Sequence, residues 1–151
     1  MVNHHEFHDG SFDGLWVNGT SVHVFLSTVR GEGFVALATG VKALAAGGFR
    51  PGNIIFEVLT REHMEVTAQD IAELYDLAQG PGRAGQCERL LSDVNRLSLK
   101  VLEINPSYGG MCLALADSID LIPRDDWKER FLTSHPAGET QGTPVGTVDG
   151  T

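Results

Sequence analysis

The chain has 151 residues, of which 42% are hydrophobic and 21% are charged, proportions typical of a single folded domain rather than a disordered chain. Its 20 Asp and Glu residues outnumber its 11 Lys and Arg residues, and the formal net charge is -9. This acidic balance argues against a protein that binds nucleic-acid backbones or anionic membranes, because both need a basic surface. It favours a basic protein as the partner.

The first ten residues, MVNHHEFHDG, contain neither a basic start nor an apolar run, so we expect no secretory signal. Nowhere does the chain contain about 18 consecutive apolar residues, the length that a transmembrane helix needs. Together these features predict a cytoplasmic protein. The two cysteines, Cys87 and Cys112, lie among apolar residues without Cys-x-x-Cys spacing, which predicts buried thiols. A single bridge between them is the alternative.

Four strands are predicted in the first 60 residues, from short alternating or apolar runs that end at turn-forming residues. Asn18-Gly19, a strong short hairpin signal, separates the first two strands. The Ala- and Gly-rich segment from Val41 to Gly48 has the length of a loose helical turn or a crossing loop. The strands are expected at Phe12–Val17, 22–26, Phe34–Thr39 and Ile54–Leu59.

Two helices are predicted in the middle of the chain. Thr67 and Asp70 have the spacing of a capping box. Apolar residues follow at helical spacing as far as Ala78, so the first helix is predicted to end at the Gly-Pro-Gly sequence that begins at Gly80. The same apolar spacing predicts a second helix around Cys87–Val94.

Two further strands and a short helix are expected after residue 96. In Leu97–Ile104 the apolar alternation changes phase, which indicates a bulge near Val101. Met111–Ala116 is apolar on both faces, which is typical of a central strand. Asp125–Leu132 carries a Trp and a Phe four residues apart and is predicted to form a docking helix.

These elements predict an α+β fold, with one antiparallel sheet of about six strands and one or two helices packed on one face. We expect a flexible lead-in over residues 1–10 and a single α+β domain over residues 5–132. Residues 133–151 are rich in Gly, Pro and Thr and contain few large apolar side chains. They are predicted to form a disordered tail.

A cluster of histidines and carboxylates near the N-terminus is the candidate for metal chemistry. His5, His8 and Asp9 carry donor atoms suited to Zn, Ni or Cu, and His63 is a further candidate ligand. These residues predict a metal-dependent hydrolase as an alternative function. If the initiator residue is removed, the free amine with His4 in third place also binds Cu(II) or Ni(II) adventitiously. We expect no cofactor beyond such adventitious Ni, Cu or Zn.

Catalytic motifs are absent from the sequence, whereas two features point to binding. The chain contains neither the nucleophile-elbow pattern of hydrolases nor a phosphate-binding loop. Tyr108 lies at a turn beside two glycines, where an exposed aromatic side chain is a good interface anchor. Four aspartates follow the last predicted strand, and we expect them to form an acidic face on which a basic partner docks: Asp117, Asp120, Asp125 and Asp126.

Short motifs in the first 60 residues carry a family resemblance. Phe7–Gly14, FHDGSFDG, leads into the hairpin, and Phe49–Ile55, FRPGNII, precedes the fourth strand. These motifs resemble those of small bacterial α+β proteins, several of them uncharacterised, including the immunity proteins of polymorphic toxins. The resemblance implies a cytosolic protein without catalytic residues that neutralises a toxin by covering its active surface. It identifies no site residues.

We therefore expect a non-enzymatic binding protein that uses Tyr108 and an acidic surface against a basic protein partner. The metal-dependent hydrolase is the first alternative. A homo-oligomeric module whose apolar strands pair across subunits is the second. We expect neither nucleic acid nor a membrane as a partner.

Overall fold

A computed structural model describes residues 1–132, and the predicted tail over residues 133–151 lies outside this part. Within it, seven antiparallel strands form one sheet and three α-helices pack on that sheet, so the predicted α+β class is confirmed. The helices are α1 (Ala68–Leu74), α2 (Arg83–Arg96) and α3 (Arg124–Phe131), and 3-10 turns lie at His5–Phe7 and His63–Glu65. The strands are β1 (Val2–Asn3), β2 (Ser11–Asn18), β3 (Ser21–Ser27), β4 (Gly33–Gly47), β5 (Ile54–Arg61), β6 (Lys100–Tyr108) and β7 (Met111–Pro123).

The sheet closes on itself into a short cylinder. Its strand order is β1-β5-β2-β3-β4-β7-β6, and β5 also pairs with β6 from Ile54 to Arg61. On its other edge, β5 pairs with β1 and, through Ile54 opposite Ser11, with β2. Backbone hydrogen bonds from residues 4 to 12 fill the rest of this seam. Closure thereby removes the two outer edges that an open sheet of these strands would have.

Alternate residues of the strands fill the cylinder. On β7, the side chains at positions 112, 114 and 116 join the interior core, whereas those at 113 and 115 lie outside, beneath α1 and α2. Apolar on both faces, β7 lies between β4 and β6, as predicted for a central strand. The largest members of the interior core are Phe7, Phe12, Leu26, Ile55 and Leu102.

The segment Val41–Gly47, predicted as a helical turn or a crossing loop, continues β4 instead. From Ala43 onward it pairs with residues 111–115 of β7. The strand bends at Gly40, where φ is 63° and a Cβ atom would lie only 2.0 Å from Asp117 Oδ2. Only glycine fits this position. Because alanine is a weak strand former, the Ala-rich run carries no strand signal in the sequence.

Two other predictions are wrong in detail. The helix α1 ends at Leu74 rather than at Gly80, and Asp76, with φ of 49°, turns the chain away from the helical path. No bulge occurs near Val101, since the pairings of β6 with β5 and β7 run through this position without a register shift. The apolar pattern changes phase because both faces are buried: Val101 packs under the helices and Leu102 points into the cylinder.

Residues 1–10, predicted as a flexible lead-in, lie against the sheet in the structure. The strand β1 pairs with β5, and the 3-10 turn that follows it carries Phe7 into the interior. Phe7 is completely buried and packs edge-to-face against Phe34, with ring centroids 5.4 Å apart. Burying such a side chain stabilises a fold by roughly 1.5–3 kcal/mol. Phe7 therefore anchors the segment at the end of the cylinder where β4 begins.

A buried ion pair fastens α1 to the outside of the sheet. Arg61, at the end of β5, donates hydrogen bonds of 2.6 and 2.8 Å to Asp70 of α1 and lies 2.9 Å from Glu103 of β6. Asp70 also forms the predicted capping box, since it accepts from the backbone N–H and the hydroxyl of Thr67. Burial raises the pKa of Asp70, but the hydrogen bonds from Arg61 and Thr67 outweigh it and hold that pKa below its ordinary value.

Asp70→Asn removes the carboxylate that accepts two hydrogen bonds from Arg61 and leaves the buried guanidinium with Glu103 as an anionic partner. We expect the free energy of unfolding to fall by up to about 3 kcal/mol. Urea unfolding followed by circular dichroism measures this loss. The control Asp93→Asn removes an exposed partner of Arg96 and is expected to cost less than about 1 kcal/mol. Equal losses in the two variants would contradict the importance of the buried pair.

The same ion pair predicts how the free energy of unfolding depends on pH. Because the folded-state pKa of Asp70 lies below its unfolded value, the pair contributes fully above about pH 4 and loses its contribution as the pH falls through the lower folded-state value. Asp70→Asn has no such contribution to lose. Unfolding free energies measured between about pH 5 and about pH 2 should therefore decline less steeply in the variant than in the wild type.

Candidate functional site

Four apolar side chains form an exposed surface near the end of the cylinder where β5 begins and β6 ends. Each of the four is between 42% and 52% exposed. Ile54 of β5 pairs with Tyr108 of β6, and Phe56 lies two residues further along β5. Grouped apolar side chains at a protein surface are typical of interaction sites. We call this set the apolar patch: Phe49, Ile54, Phe56 and Tyr108.

Asn53 holds together the loops that carry the apolar patch. Its Oδ1 accepts hydrogen bonds from the backbone N–H groups of Arg50, at 2.7 Å, and Gly110, at 2.8 Å, and so ties the β4–β5 loop to the β6–β7 turn. At Gly110 a Cβ atom would lie 2.6 Å from the ring of Phe49. Phe49 packs edge-to-face on the buried Phe12, with ring centroids 5.1 Å apart. These contacts join the loop that carries Phe49 to the turn that follows Tyr108.

Tyr108 is the patch residue that the sequence predicts to be exposed, and it is 47% exposed in the structure. The guanidinium carbon of Arg50 lies 5.8 Å from the centroid of its ring, within the range of a cation–π contact. Tyr and Arg are enriched among the residues that dominate binding energy at protein interfaces. The pair therefore gives the apolar patch a chemically suitable anchor.

The N-terminal histidine cluster borders the apolar patch at Phe56. His8 Nδ1 donates a hydrogen bond to the Phe56 carbonyl oxygen at 2.8 Å, and the two rings pack edge-to-face. His8 Nε2 lies 3.7 Å from Asp9. His5 and Glu57 line the same shallow depression as Phe56 and His8. Three of the predicted metal ligands, His5, His8 and Asp9, thus lie at the edge of the apolar patch beside Phe56.

Within residues 1–132, no group of three or more His, Cys, Asp and Glu side chains is placed to hold a metal ion. His63, the further candidate ligand, instead hydrogen-bonds through Nδ1 with Asn95 of α2, at 3.0 Å. The structure therefore does not assemble the proposed ligands of the hydrolase alternative: His5, His8, Asp9 and His63.

The residues of the predicted acidic face lie on β7 and in the first turn of α3. Lysine side chains partly neutralise their charge. Lys42 Nζ lies 3.8 Å from Asp117, and Lys128 Nζ lies 3.8 Å from Asp125. These pairs are exposed, so each contributes only about 0–1 kcal/mol to stability. Salt screens such pairs strongly.

The acidic face is also separated from Tyr108. Asp120 is exposed near the end of β7, and Asp126 lies in the first turn of α3, after that strand. Tyr108 precedes the start of β7, and a strand of 13 residues spans roughly 40 Å. The structure therefore divides the predicted binding residues between two surfaces.

A buried histidine links α3 to the sheet. His23 of β3 is 1% exposed, and its Nδ1 accepts a hydrogen bond from the indole N–H of Trp127 at 2.9 Å. The rings of Trp16 and Phe131 pack on either side at centroid distances of 4.5 and 5.0 Å. Because Nδ1 accepts, the neutral ring carries its proton on Nε2. Burial holds the pKa of His23 below its ordinary value.

Arg124 provides a polar anchor at the first residue of α3. Its Nη2 donates to Asp13 of β2, at 2.8 Å, and to the carbonyl oxygen of Leu26, at 2.9 Å. Burial raises the pKa of Asp13, but hydrogen bonds from Arg124, Ser11 and Ser27 outweigh it and hold that pKa below its ordinary value. The docking helix predicted near the C-terminus is confirmed, and it contacts the sheet through both apolar and charged groups.

The two cysteines are buried free thiols, as the sequence predicts, and no bridge joins them. Burial raises the pKa of Cys112 to about 12. Its thiolate, the nucleophilic form, is therefore not populated near neutral pH. Cys87 Sγ lies 3.7 Å from the carbonyl oxygen of Ala68 and contributes to the packing of α2 on α1.

Comparisons of the chain with protein-family models, with curated protein sequences and with solved structures found no match. No helix within residues 1–132 has the length and apolar character needed to cross a membrane. A proposal of function therefore rests on the contacts and charges described above.

The sequence does not identify three of the four patch residues as site residues, because apolar side chains at strand spacing are typical of a core as well as of a surface site. In the run from Ile54 to Phe56, apolar residues occupy both faces of the strand, and only Ile55 is buried. Alternation cannot show which face is outside when both are apolar. Phe49 has a usable signal, since it adjoins a turn as Tyr108 does.

The burial of His23 predicts a stability loss in mild acid. The folded-state pKa lies below the ordinary value of 6.5, so the unfolded chain takes up a proton that folded His23 does not, and stability falls as the pH decreases below about 6.5. The slope is at most about 1.4 kcal/mol per pH unit. Urea unfolding at about pH 7.5 and about pH 5, followed by tryptophan fluorescence, measures it.

His23→Gln is the reference for this measurement, because a glutamine oxygen can accept from Trp127 and does not titrate. The wild type should lose more stability than this variant between the two pH values. Identical losses would show that other groups carry the pH dependence.

Proposed function

We propose that the protein is a non-enzymatic binding module that holds a basic partner protein against the apolar patch. The observation that carries this proposal is the patch itself, four half-exposed apolar side chains on loops and strands fixed by Asn53. Rigid aromatic side chains lose little conformational freedom on binding, so more of the interaction energy appears as affinity.

Carboxylates beside Phe56 favour a basic partner at that side of the apolar patch, whereas Arg50 places one positive charge beside Tyr108. Asp9 borders the patch beside His8, and Glu57, which accepts a hydrogen bond of 3.0 Å from Asn105, lies next to Phe56. The net charge of -9 adds a long-range attraction for basic proteins. We assign this steering role, rather than contact within the patch, to the four aspartates of the predicted acidic face: Asp117, Asp120, Asp125 and Asp126.

The resemblance of the first 60 residues to immunity proteins suggests one class of partner. Those proteins neutralise a toxin by covering its active surface. A rigid apolar patch with acidic borders suits that task, since aromatic side chains supply the contact area and the carboxylates meet basic residues around the toxin's active surface. A basic toxin is therefore the first partner class to test.

The test removes the centre of the apolar patch with Tyr108→Ala and Phe56→Ala together. The matched control, Val29→Ala with Leu97→Ala, removes two exposed apolar side chains that lie outside the patch. The wild type, the patch variant and the control are each immobilised and used to capture proteins from a lysate of the cells in which the protein naturally occurs. A captured protein is then purified, and its affinity for each of the three forms is measured by titration. We expect a basic protein whose affinity falls about 30-fold or more in the patch variant. The control should stay within about threefold of wild type.

Three outcomes would overturn the proposal. The first is that every captured protein binds the patch variant and the control equally, since the interface then lies elsewhere. The second is a partner with an acidic surface or an affinity insensitive to salt. The third is self-association of the wild type that the patch variant abolishes, measured by sedimentation, since the occupant is then a second copy of the chain.

A further inference from the structure

A cavity of about 120 Å³ opens at the end of the cylinder where β5 ends and β6 begins. Its deeper walls are apolar and come from four strands. Val58 of β5 and Leu102 of β6 belong to the buried core, and Ile119 and Leu121 of β7 complete the apolar lining with Ala36 of β4. The cavity is thus a recess in the core, open to solvent on one side.

Ala36 of β4 is the small side chain in the lining of this cavity, and further alanines occupy inward positions elsewhere on β4 and β7. Ala36 pairs with Leu121 and Ala38 with Ile119, while Ala114 and Ala116 occupy the inward positions further along β7. Close-packed interiors leave few gaps larger than a water molecule, so a recess lined by valine, leucine, isoleucine and alanine is a distinct feature of this core.

Lys100 and Glu62 form an exposed ion pair at the mouth of the cavity. Lys100 Nζ lies 3.8 Å from Glu62 Oε1, and both side chains are about half exposed, so a ligand at the mouth can reach both from solvent. His4 Nε2 and Thr60 Oγ1, 3.2 Å apart, add a hydrogen-bonding pair at the rim. Arg61 also lines the mouth, but its guanidinium is held by the buried ion pair described above.

We propose that this cavity binds a free α-amino acid with a small aliphatic side chain. The ligand's carboxylate pairs with Lys100, its ammonium group pairs with Glu62, and its side chain enters the apolar recess. An α-amino acid carries its ammonium group and its carboxylate on the same carbon atom, so one ligand can pair with both charged groups at once. A simple carboxylic acid brings its charge against Glu62, and a simple amine brings its charge against Lys100.

The volume of the cavity limits the size of the ligand's side chain. The cavity volume of about 120 Å³ includes the polar mouth as well as the apolar recess. Because a cavity of about 150 Å³ holds benzene, the recess accommodates a small aliphatic side chain, such as the four-carbon side chain of leucine, and an indole ring is too large for it. The apolar lining provides no partner for a polar side chain, which would lose its hydrogen bonds with water on entry.

The cavity and the apolar patch are independent sites. Thr60, at the mouth of the cavity, and Ile54, in the patch, lie near opposite ends of β5, roughly 20 Å apart. Amino-acid binding therefore does not require the proposed protein partner, and the two proposals fail separately.

Isothermal titration of the full chain tests the ligand class with four probes that share parts of one structure. L-Leucine carries both charges and the aliphatic group, 4-methylpentanoate lacks the ammonium group, isoamylamine lacks the carboxylate, and glycine lacks the side chain. We expect saturable binding of one leucine per chain, roughly tenfold or more tighter than that of each other probe. L-Tryptophan should not bind.

Substitutions in the charged pair and in the lining test whether the ligand binds at this cavity. Glu62→Gln and Lys100→Met should each weaken leucine binding roughly tenfold. The matched control is Asp117→Asn, because Asp117 and Lys42 form an exposed pair with the same 3.8 Å separation outside the cavity. Ala36→Leu fills the recess and should abolish binding, with circular dichroism as the check that this buried substitution leaves the fold intact. If Ala36→Leu does not keep the fold, the two surface variants, Glu62→Gln and Lys100→Met, provide the test.

The proposal is overturned if leucine gives no saturable heat up to its solubility limit. It is also overturned if 4-methylpentanoate or isoamylamine binds as tightly as leucine, since the paired charges then have no role. Equal effects of Glu62→Gln and Asp117→Asn would place the binding site elsewhere on the protein.

Discussion

Closure of the sheet at β5 is the constraint on which the rest of the structure depends. This strand pairs with β6 along one edge and with β1 and β2 along the other. Without it, the side chains of Phe12 and Ile55 would face no common interior, because the strands that surround them would form an open, twisted sheet. The same strand carries the apolar patch at Ile54 and Phe56, and the mouth of the cavity at Thr60. One rigid element therefore fixes both candidate sites.

The helices explain why the apolar patch is exposed. On the outside of the cylinder, α1 and α2 cover apolar residues of β6 and β7, and α3 packs on β3 and β4 through Trp127. The buried pair with Arg61 holds α1 at the far end of β5. Around Phe56 the outer face of β5 lies under no described helix, so its apolar side chains stay in contact with solvent. The exposure results from where the helices dock rather than from disorder in the loops.

Much of the secondary structure could be predicted, because local patterns specify it. The hairpin at Asn18-Gly19, the capping box at Thr67 and the apolar spacing of α2 each act within one element. Closure could not be predicted, since alternation shows that a face is buried and does not show which strands pair. The candidate sites were missed for the same reason. Tyr108 is recognisable beside its turn, whereas Phe56 becomes part of a surface only when β5 and β6 meet.

Closure also determines the order in which the chain can become stable during synthesis. The strand β4 pairs with β7, from Phe34 opposite Pro123 to Gly47 opposite Met111. A strand that is synthesised early therefore pairs with one that is synthesised near the end of the described chain. Such topologies have a high contact order and fold slowly, because long loops are closed before their contacts form. The helix α2 and the β6–β7 hairpin depend on contacts between residues close in sequence. They provide the surface on which the N-terminal strands complete the cylinder.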